Sequence, residues 1–285
     1  MPPRPAVPSR VDPLGAPWPG LIPLRPLGLL DIFAAATRLV RQRFAALCAV
    51  AFVGAVATAA ATYGVLQLFP NRAEFYSDTW MDEAMAGRMS IPAVVLWPTL
   101  TAAMIGFLST SFVAGMAAAF AATDALGPPA STAVALGRLR GRWLSLLVTT
   151  VIVGGLVTGG LLLLIVPGVF ALALLALAAP AVAIERISPG AALRRSVLLS
   201  AGIRWRILGV VVLSLLIASV VEGIVSAIIP VSSTVGGAIL SLIVAAAVSA
   251  ITTPWVSSVI ALLYIDARIR KENLAWSLVR ASMKS

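Results

Sequence analysis

The stretch RWRILGVVVLSLLIASVVEGIVSAIIP, residues 204–230, decides the fold class. Between Ile207 and Ile229 its only charged residue is Glu222. A helix needs about 20 apolar residues to cross a hydrocarbon layer of roughly 30 Å. A strand of a membrane barrel would instead alternate over about ten residues. The stretch therefore predicts a transmembrane helix and argues against a barrel.

Five further stretches share this character. With the first they give the candidate spans 44–69, 92–122, 143–166, 168–184, 207–229 and 236–264. The chain is 60% hydrophobic and 11% charged, whereas an ordinary soluble domain is about 45–50% apolar and about 25% charged. We predict an all-α integral membrane protein with about six transmembrane helices over 28–265. We expect the Pro-rich residues 1–27 to be a disordered cytoplasmic tail and 266–285 to be a basic cytoplasmic tail.

Positive charge alternates along the chain in phase with six crossings. The arginines that precede the first, third and fifth spans are Arg38, Arg41, Arg43, Arg138, Arg140, Arg142, Arg186, Arg194, Arg195, Arg204 and Arg206. Because such residues mark cytoplasmic connections, both termini are predicted to be cytoplasmic. Nearly all the basic residues are arginine rather than lysine, and this bias indicates a bacterial inner membrane. Arginines that flank spans favour anionic lipid headgroups over nucleic acid as the partner of this charge.

An arginine-aromatic pair opens three of the spans. The pairs are Arg43-Phe44, Arg142-Trp143 and Arg204-Trp205, and a proline follows each at near-equal spacing, at Pro70, Pro167 and Pro230. Aromatic rings beside arginine are typical of the membrane interface, so these six residues are predicted interfacial anchors. Their spacing indicates an internal repeat: three helical hairpins, each preceded by a cytoplasmic amphipathic helix.

Two of these amphipathic helices are visible as patterns. Within 30–44 the predicted apolar face comprises Leu30, Phe33, Thr37, Val40 and Phe44. A second helix is predicted to begin at Ser188-Pro189, a capping serine followed by a proline in the first turn, and to carry Leu193 and Val197. Such helices either lie in the plane of the inner membrane surface or pack beneath the bundle.

Polar and small residues inside the spans supply the candidate sites. Glu222 is an intramembrane carboxylate, which is expensive in lipid and usually faces protein or water. It predicts either a functional polar cavity or a structural hydrogen bond to a neighbouring helix. Gly155 and Gly159 form a G-x-x-x-G pattern that predicts close helix packing within the chain or, alternatively, a homo-oligomer contact. Pro180 and Pro254 are expected to bend their spans.

Several motifs in this order resemble a bacterial family named for a "glycerophosphoryl diester phosphodiesterase membrane domain". The similar segments are Arg25-Pro-Leu-Gly-Leu-Leu-Asp-Ile-Phe, Leu161-Leu-Leu-Leu-Ile-Val-Pro-Gly-Val, Ser188-Pro-Gly-Ala-Ala-Leu-Arg-Arg-Ser and Leu263-Tyr-Ile-Asp-Ala-Arg-Ile-Arg-Lys-Glu. The resemblance covers roughly 25–275 and implies a membrane module without a settled activity. The soluble partner domain of related proteins uses histidines around a metal, and this chain has no histidine.

The lack of histidine and the single cysteine exclude most kinds of catalytic site. Without histidine there is no Ser-His-Asp or Cys-His constellation, and the single cysteine, Cys48, allows no intrachain disulfide. We predict no catalytic, cofactor or metal site; a weak divalent-cation site in the acidic loop 70–91 is the less favoured alternative. The leading hypothesis is a non-enzymatic scaffold or accessory subunit of a membrane assembly, with lipid and a membrane protein as partners. The alternative is a transporter or lipid-handling protein that uses Glu222 and the proline-bent helices.

Overall fold

The computed structural model describes residues 25–71, 82, 86, 92–124, 132–137, 139–228 and 235–272. Within them the chain is helical, without strands. The helices are α1 (Leu29–Gln42), α2 (Phe44–Leu66), α3 (Ala93–Asp124), α4 (Thr132–Gly137), α5 (Trp143–Leu163), α6 (Ile165–Leu175), α7 (Ala178–Glu185), α8 (Pro189–Ser200), α9 (Arg204–Ile228) and α10 (Val235–Glu272).

Six helical segments are long and apolar enough to cross a membrane, which confirms the predicted fold class. They are α2, α3, α5, the pair α6–α7, α9 and a large part of α10. Each consecutive pair packs together as a hairpin: α2 with α3, α5 with α6, and α9 with α10. Helices α2, α3 and α10 also pack against one another, so the first and third hairpins share the centre of the bundle.

The ends of the spans that carry arginine gather at one end of the bundle, which we call the basic end. There α2, α5 and α9 begin, and α3, α7 and α10 end. Gly141 and Gly202 adopt φ of +75° and +78° just before the Arg142-Trp143 and Arg204-Trp205 junctions. This left-handed conformation costs glycine little and other residues more. Both glycines therefore let the chain reverse direction immediately before a span.

The predicted boundary at 265 falls inside a helix. α10 continues without interruption to Glu272, and the residues beyond Ile265 include the buried Asp266. At the other boundary, Leu27 is fully buried and its N–H donates to Asp266 at 2.8 Å. The two predicted tails therefore contribute to the packed basic end before the chain leaves the described residues; residues 1–24 and 273–285 lie outside them.

The second hairpin turns earlier than predicted. Leu164, with φ −162° and ψ 146°, separates α5 from α6, whereas Pro167 and Gly168 lie in the first turn of α6. A proline in a first turn loses no helical hydrogen bond, because that N–H would be unpaired anyway. The fourth span is interrupted at Ala176 and Leu177 rather than at Pro180, which lies in the first turn of α7 for the same reason.

Different glycines from those predicted bring α5 and α6 together. A Cβ added at Gly160 would lie 2.8 Å from the Cα of Gly168, whereas one added at Gly155 or Gly159 would meet nothing within 4 Å. The prediction that Gly155 and Gly159 mediate packing within the chain is therefore wrong for the described residues. Gly154, which a Cβ would bring to 3.0 Å from Leu108, lies against α3 instead. The homo-oligomer alternative for Gly155 and Gly159 stays a prediction.

Helix α1 packs against the bundle with a face other than the predicted one. Its buried residues are Ile32, Ala35, Ala36, Leu39 and Val40. Of the predicted face only Val40 is buried, and Leu30 is 79% exposed. Phe33 packs against Trp255 with ring centroids 5.2 Å apart, and the Trp255 indole donates to the Thr37 hydroxyl. The buried face therefore combines alanines with Ile32 and Leu39, both fully buried.

The second amphipathic helix begins as predicted and also packs against the bundle. Ser188 is the N-cap residue of α8 and Pro189 its first residue. Leu193 and Val197 are partly buried against a cluster formed by α5, α6 and α7, and the Ser196 hydroxyl donates to the Leu174 carbonyl at 2.6 Å. These contacts favour packing beneath the bundle over an isolated position on the membrane surface.

Packing is dense at the basic end and sparse away from it. In α2 no residue between Phe52 and Val65 is buried, and in α9 none is buried between Ser219 and Ile228. By contrast every residue from Val113 to Ala121 of α3 is buried. The room that this sparse packing leaves between α3 and α9 holds the candidate site.

Candidate functional site

Each hairpin returns to the basic end with a carboxylate, and each carboxylate is paired with arginine. We call Asp124, Glu185 and Asp266 the hairpin-end carboxylates. Asp124, at the end of α3, accepts hydrogen bonds from Arg43 Nη2 at 2.8 and 2.9 Å and from Nε at 3.2 Å. The exposed fractions of these two residues are 2% and 7%. Arg43 also lies 5.0 Å from the centre of the Phe120 ring.

Asp266 joins the start of α1 to α9 and α10. It accepts from the Leu27 N–H, from Arg270 Nε at 2.9 Å and from Arg206 Nη2 at 3.3 Å. The same two arginines donate to the Leu27 carbonyl, at 2.6 Å from Arg206 and 2.9 Å from Arg270. A buried charge is stable only when it is paired and hydrogen-bonded, and Asp266 satisfies both conditions.

Glu185 joins the second hairpin to α8 and α10. It accepts from Arg195 Nε at 2.9 Å and from the Tyr264 hydroxyl. Arg195 also contacts Glu272, which pairs with Arg268 at 2.8 Å. Burial lowers the pKa of Arg195, but the hydrogen bonds and charges of Glu185 and Glu272 outweigh burial and raise it above the ordinary value. Charged groups at the basic end thus tie the second hairpin to the third through Glu185, tie the segment before α1 to the third through Asp266, and close the first hairpin through Asp124.

The predicted interfacial anchors divide into two groups. The aromatic members remain exposed: Phe44 is 52% exposed, Trp143 39% and Trp205 82%. Arg43 is buried in its pair with Asp124, so it is wrong as an anchor that reaches lipid headgroups. Arg142 and Arg204 are partly exposed, and the Arg204 guanidinium lies 5.8 Å from the centre of the Phe170 ring. The interfacial role of the three aromatic residues stays a prediction.

A cavity of about 500 Å³ separates α3 from α9, with α10 behind it. One part of its lining is apolar and the other polar. The apolar lining residues are Gly106, Val212, Leu215, Leu216, Ala218 and Val256, and the polar ones are Thr110, Ser219, Glu222, Ser249, Thr252 and Thr253. Leu215 and Leu216 are 43% and 56% exposed, so the cavity is partly open on the side of α9. Its volume lies within the range of about 300–1,000 Å³ that is usual for ligand sites.

Glu222 is the one ionisable residue of this lining. Its Oε1 accepts a hydrogen bond from the Thr252 hydroxyl at 2.6 Å, across the interface between α9 and α10. Among the described residues no donor reaches Oε2. The expected hydrogen bond to a hydroxyl of the neighbouring helix is thus present, and Glu222 also lines a cavity; its functional role stays a prediction. Pro254 lies in α10 among the lining residues Thr252, Thr253 and Val256.

In comparisons with known proteins, no family model matches the chain, and neither a curated protein nor a solved structure matches it significantly. The family resemblance of the four segments remains an expectation from the sequence. Function is therefore argued from the site alone.

Sequence reasoning found Glu222 but not the hydroxyl groups that surround it. The signal for them is a polar face within an apolar span: Thr252 and Thr253 follow Ser249 by three and four residues, so the three share one side of α10. The hairpin-end carboxylates were also missed, although each lies at the arginine-rich end of a returning span. In the described residues no group of three or more His, Cys, Asp or Glu side chains could hold a metal ion. Glu74, Asp78 and Glu83 of the acidic loop lie outside those residues.

Proposed function

We propose that the protein is a non-enzymatic multi-pass membrane protein that takes up an amphiphile from the bilayer in the cavity at Glu222. This assigns it to the transport or lipid-handling class rather than to the scaffolds. The observation that carries the proposal is the cavity itself, in which an intramembrane carboxylate and five hydroxyl side chains face an apolar wall. A helix bundle that served only as a scaffold would gain stability by closing this gap, since packing drives helix association in lipid.

The proposed setting is a bacterial inner membrane with both termini in the cytoplasm. In favour of it, the arginine-rich connections meet at one end of the bundle, as the positive-inside rule requires of cytoplasmic connections. The acidic residues at that end are engaged in ion pairs, whereas Arg41, Arg140, Arg186 and Arg194 are exposed. Their surplus charge favours contact with anionic headgroups.

The exposed arginines also support the second candidate function, an accessory subunit whose basic end binds another membrane protein. The same purified sample separates the two functions. A bound amphiphile with a mass of lipid or solute supports the cavity proposal. A protein partner at fixed stoichiometry, with no bound amphiphile, supports the accessory subunit.

A larger side chain in the cavity is expected to reduce amphiphile binding. A Cβ at Gly106 would meet nothing within 4 Å, so the side chain of Gly106→Leu projects into the cavity without displacing its neighbours. We expect the fraction of protein carrying an amphiphile, measured by native mass spectrometry after gentle purification, to fall about tenfold or more, because the ligand loses the apolar contact that the new side chain occupies.

Gly223→Leu is the matched control. Gly223 is also a helical glycine with no neighbour within 4 Å of an added Cβ, but it does not line the cavity. This variant should carry as much amphiphile as the wild type. Equal occupancy of all three proteins, or no bound amphiphile in any of them, would count against the proposed function.

A further inference from the structure

In the lining of the cavity, one carboxylate oxygen accepts no hydrogen bond from the described residues. The Thr110 hydroxyl donates to the Gly106 carbonyl at 2.9 Å, and the Ser219 hydroxyl donates to the Leu216 carbonyl at 2.9 Å. Ser249 and Thr253 bond each other at 3.3 Å. Thr252 donates to Glu222 Oε1. The Ser249–Thr253 bond uses one of their two hydroxyl hydrogens. Glu222 lines the cavity, and its Oε2, which accepts no hydrogen bond from the described residues, is the strongest acceptor left in the lining.

The charge of the lining also favours a ligand that donates hydrogen bonds to Glu222. Among the described residues the lining includes one acidic side chain and no arginine or lysine. The formal net charge of the chain is +10, but the described arginines that pair with Asp124, Glu185 and Asp266 lie at the basic end. An anionic headgroup would meet a carboxylate without a compensating cation, which is unfavourable in apolar surroundings. A cationic donor would supply the carboxylate with a partner.

The apolar lining residues determine the rest of the ligand. Val212, Leu215 and Leu216 on α9 and Val256 on α10 are apolar lining residues of the cavity, and an alkyl chain is the natural occupant of such a surface. A ligand that fits both parts carries a hydrogen-bond-donating cation at one end and an alkyl chain at the other.

From this geometry we infer that the cavity binds an amphiphilic amine, whose ammonium group pairs with Glu222 and whose alkyl chain lies along Val212, Leu215 and Val256. This inference rests on the proposed function and names the ligand class of the same cavity. The shared chemistry, an ammonium on an alkyl chain, occurs both in amine-bearing lipid headgroups and in free hydrophobic amines.

The test compares three ligands that differ only in the headgroup. Radiolabelled dodecylamine, dodecanol and dodecanoate are titrated onto the protein in phosphatidylcholine nanodiscs, with binding to empty nanodiscs subtracted. We expect dodecylamine to bind about tenfold or more tightly than dodecanol, because a charge-assisted hydrogen bond is stronger than a neutral one. Dodecanoate should bind most weakly of the three.

The matched variant is Glu222→Gln, which keeps the shape of the side chain and removes its charge. It should bind dodecylamine and dodecanol with equal affinity while its affinity for dodecanol stays at the wild-type value. Wild-type protein that binds the alcohol or the carboxylate as tightly as the amine would overturn the inference but leave the proposed function intact. The same holds for an amine preference that survives in Glu222→Gln. If none of the three ligands binds, the inference and the proposed function both fail.

A final arm identifies the source of the amine. Phosphatidylethanolamine is added to the nanodiscs at increasing fraction while dodecylamine binding is measured. Competition assigns the site to an amine-bearing lipid headgroup, and unchanged binding assigns it to a free amine. Either result supports an amine site.

Discussion

Asp124→Ala is expected to destabilise the protein by about 3–5 kcal/mol, the usual cost of removing one partner of a buried ion pair. The guanidinium of Arg43 would remain in a site that is only 7% exposed, without the carboxylate that accepts three of its hydrogen bonds. Because this pair joins the start of α2 to the end of α3, its loss should loosen the first hairpin. The free energy of unfolding, measured by SDS titration in mixed micelles, reports the effect.

The control for Asp124→Ala is the double variant Arg43→Leu/Asp124→Leu. Replacing both partners of a buried pair by apolar residues is often neutral or stabilising, so the double variant should recover most of the lost stability. A loss below about 1 kcal/mol in Asp124→Ala, which is the range of exposed ion pairs, would contradict the role of this pair. So would a double variant that is less stable than the single one.

Gly160→Leu is expected to disrupt the second hairpin. A Cβ at this position would lie 2.8 Å from the Gly168 Cα and 2.9 Å from its nitrogen, and backbone atoms cannot move aside as a flexible side chain can. Overpacking in a core costs about 1–3 kcal/mol and occasionally more. We expect a loss at or above the upper end of that range, because α5 and α6 must separate along their whole contact.

The neighbouring residue supplies the control for Gly160→Leu. Gly159 belongs to the same turn of α5, and a Cβ there would meet nothing within 4 Å, so Gly159→Leu changes helix propensity in the same way without a collision. Its free energy of unfolding should equal or exceed that of the wild type, since glycine within a helix costs about 0.5–1 kcal/mol relative to alanine. Equal stability of the two variants would contradict the backbone contact between α5 and α6.

Local properties of the sequence predicted the spans well. Hydropathy gives their number, because a lipid layer requires an apolar segment of fixed length. The arginine-aromatic junctions even gave the first residues of α2 and α5, Phe44 and Trp143. The start of α8 at Ser188-Pro189 followed from capping chemistry alone. These features depend on neighbours within a few residues.

The errors concern contacts between distant parts of the chain. Arg43 was assigned to the interface because its partner Asp124 lies 81 residues further along the chain, and a local pattern does not show that partner. The face of α1 was misassigned for a related reason: the contact with α10 buries Ile32 and Leu39, and the local pattern does not show which apolar face that contact selects. Gly155 and Gly159 matched a motif, but helix rotation placed Gly160 at the contact instead.

The sequence predicted the carboxylate of the candidate site but not its hydrogen-bond partner or the cavity. A lone carboxylate in a span is unusual enough that Glu222 stood out in the sequence. Its partner Thr252 did not, because hydroxyl side chains are common in spans and bond their own helix. The cavity depends on the separation of α9 from α3, which follows from how three hairpins pack and not from any one segment.

The most direct test of a binding cavity at Glu222 is photolabelling with a neutral long-chain alcohol that carries a diazirine, followed by peptide mass spectrometry. We expect labelling to be concentrated on the cavity lining, at Val212, Leu215 and Leu216, and to fall in Gly106→Leu. Lipid-facing residues outside the cavity, such as Val53 at 68% and Leu144 at 72% exposure, serve as the background. Labelling of the lining no stronger than that of Val53 and Leu144 would contradict the account.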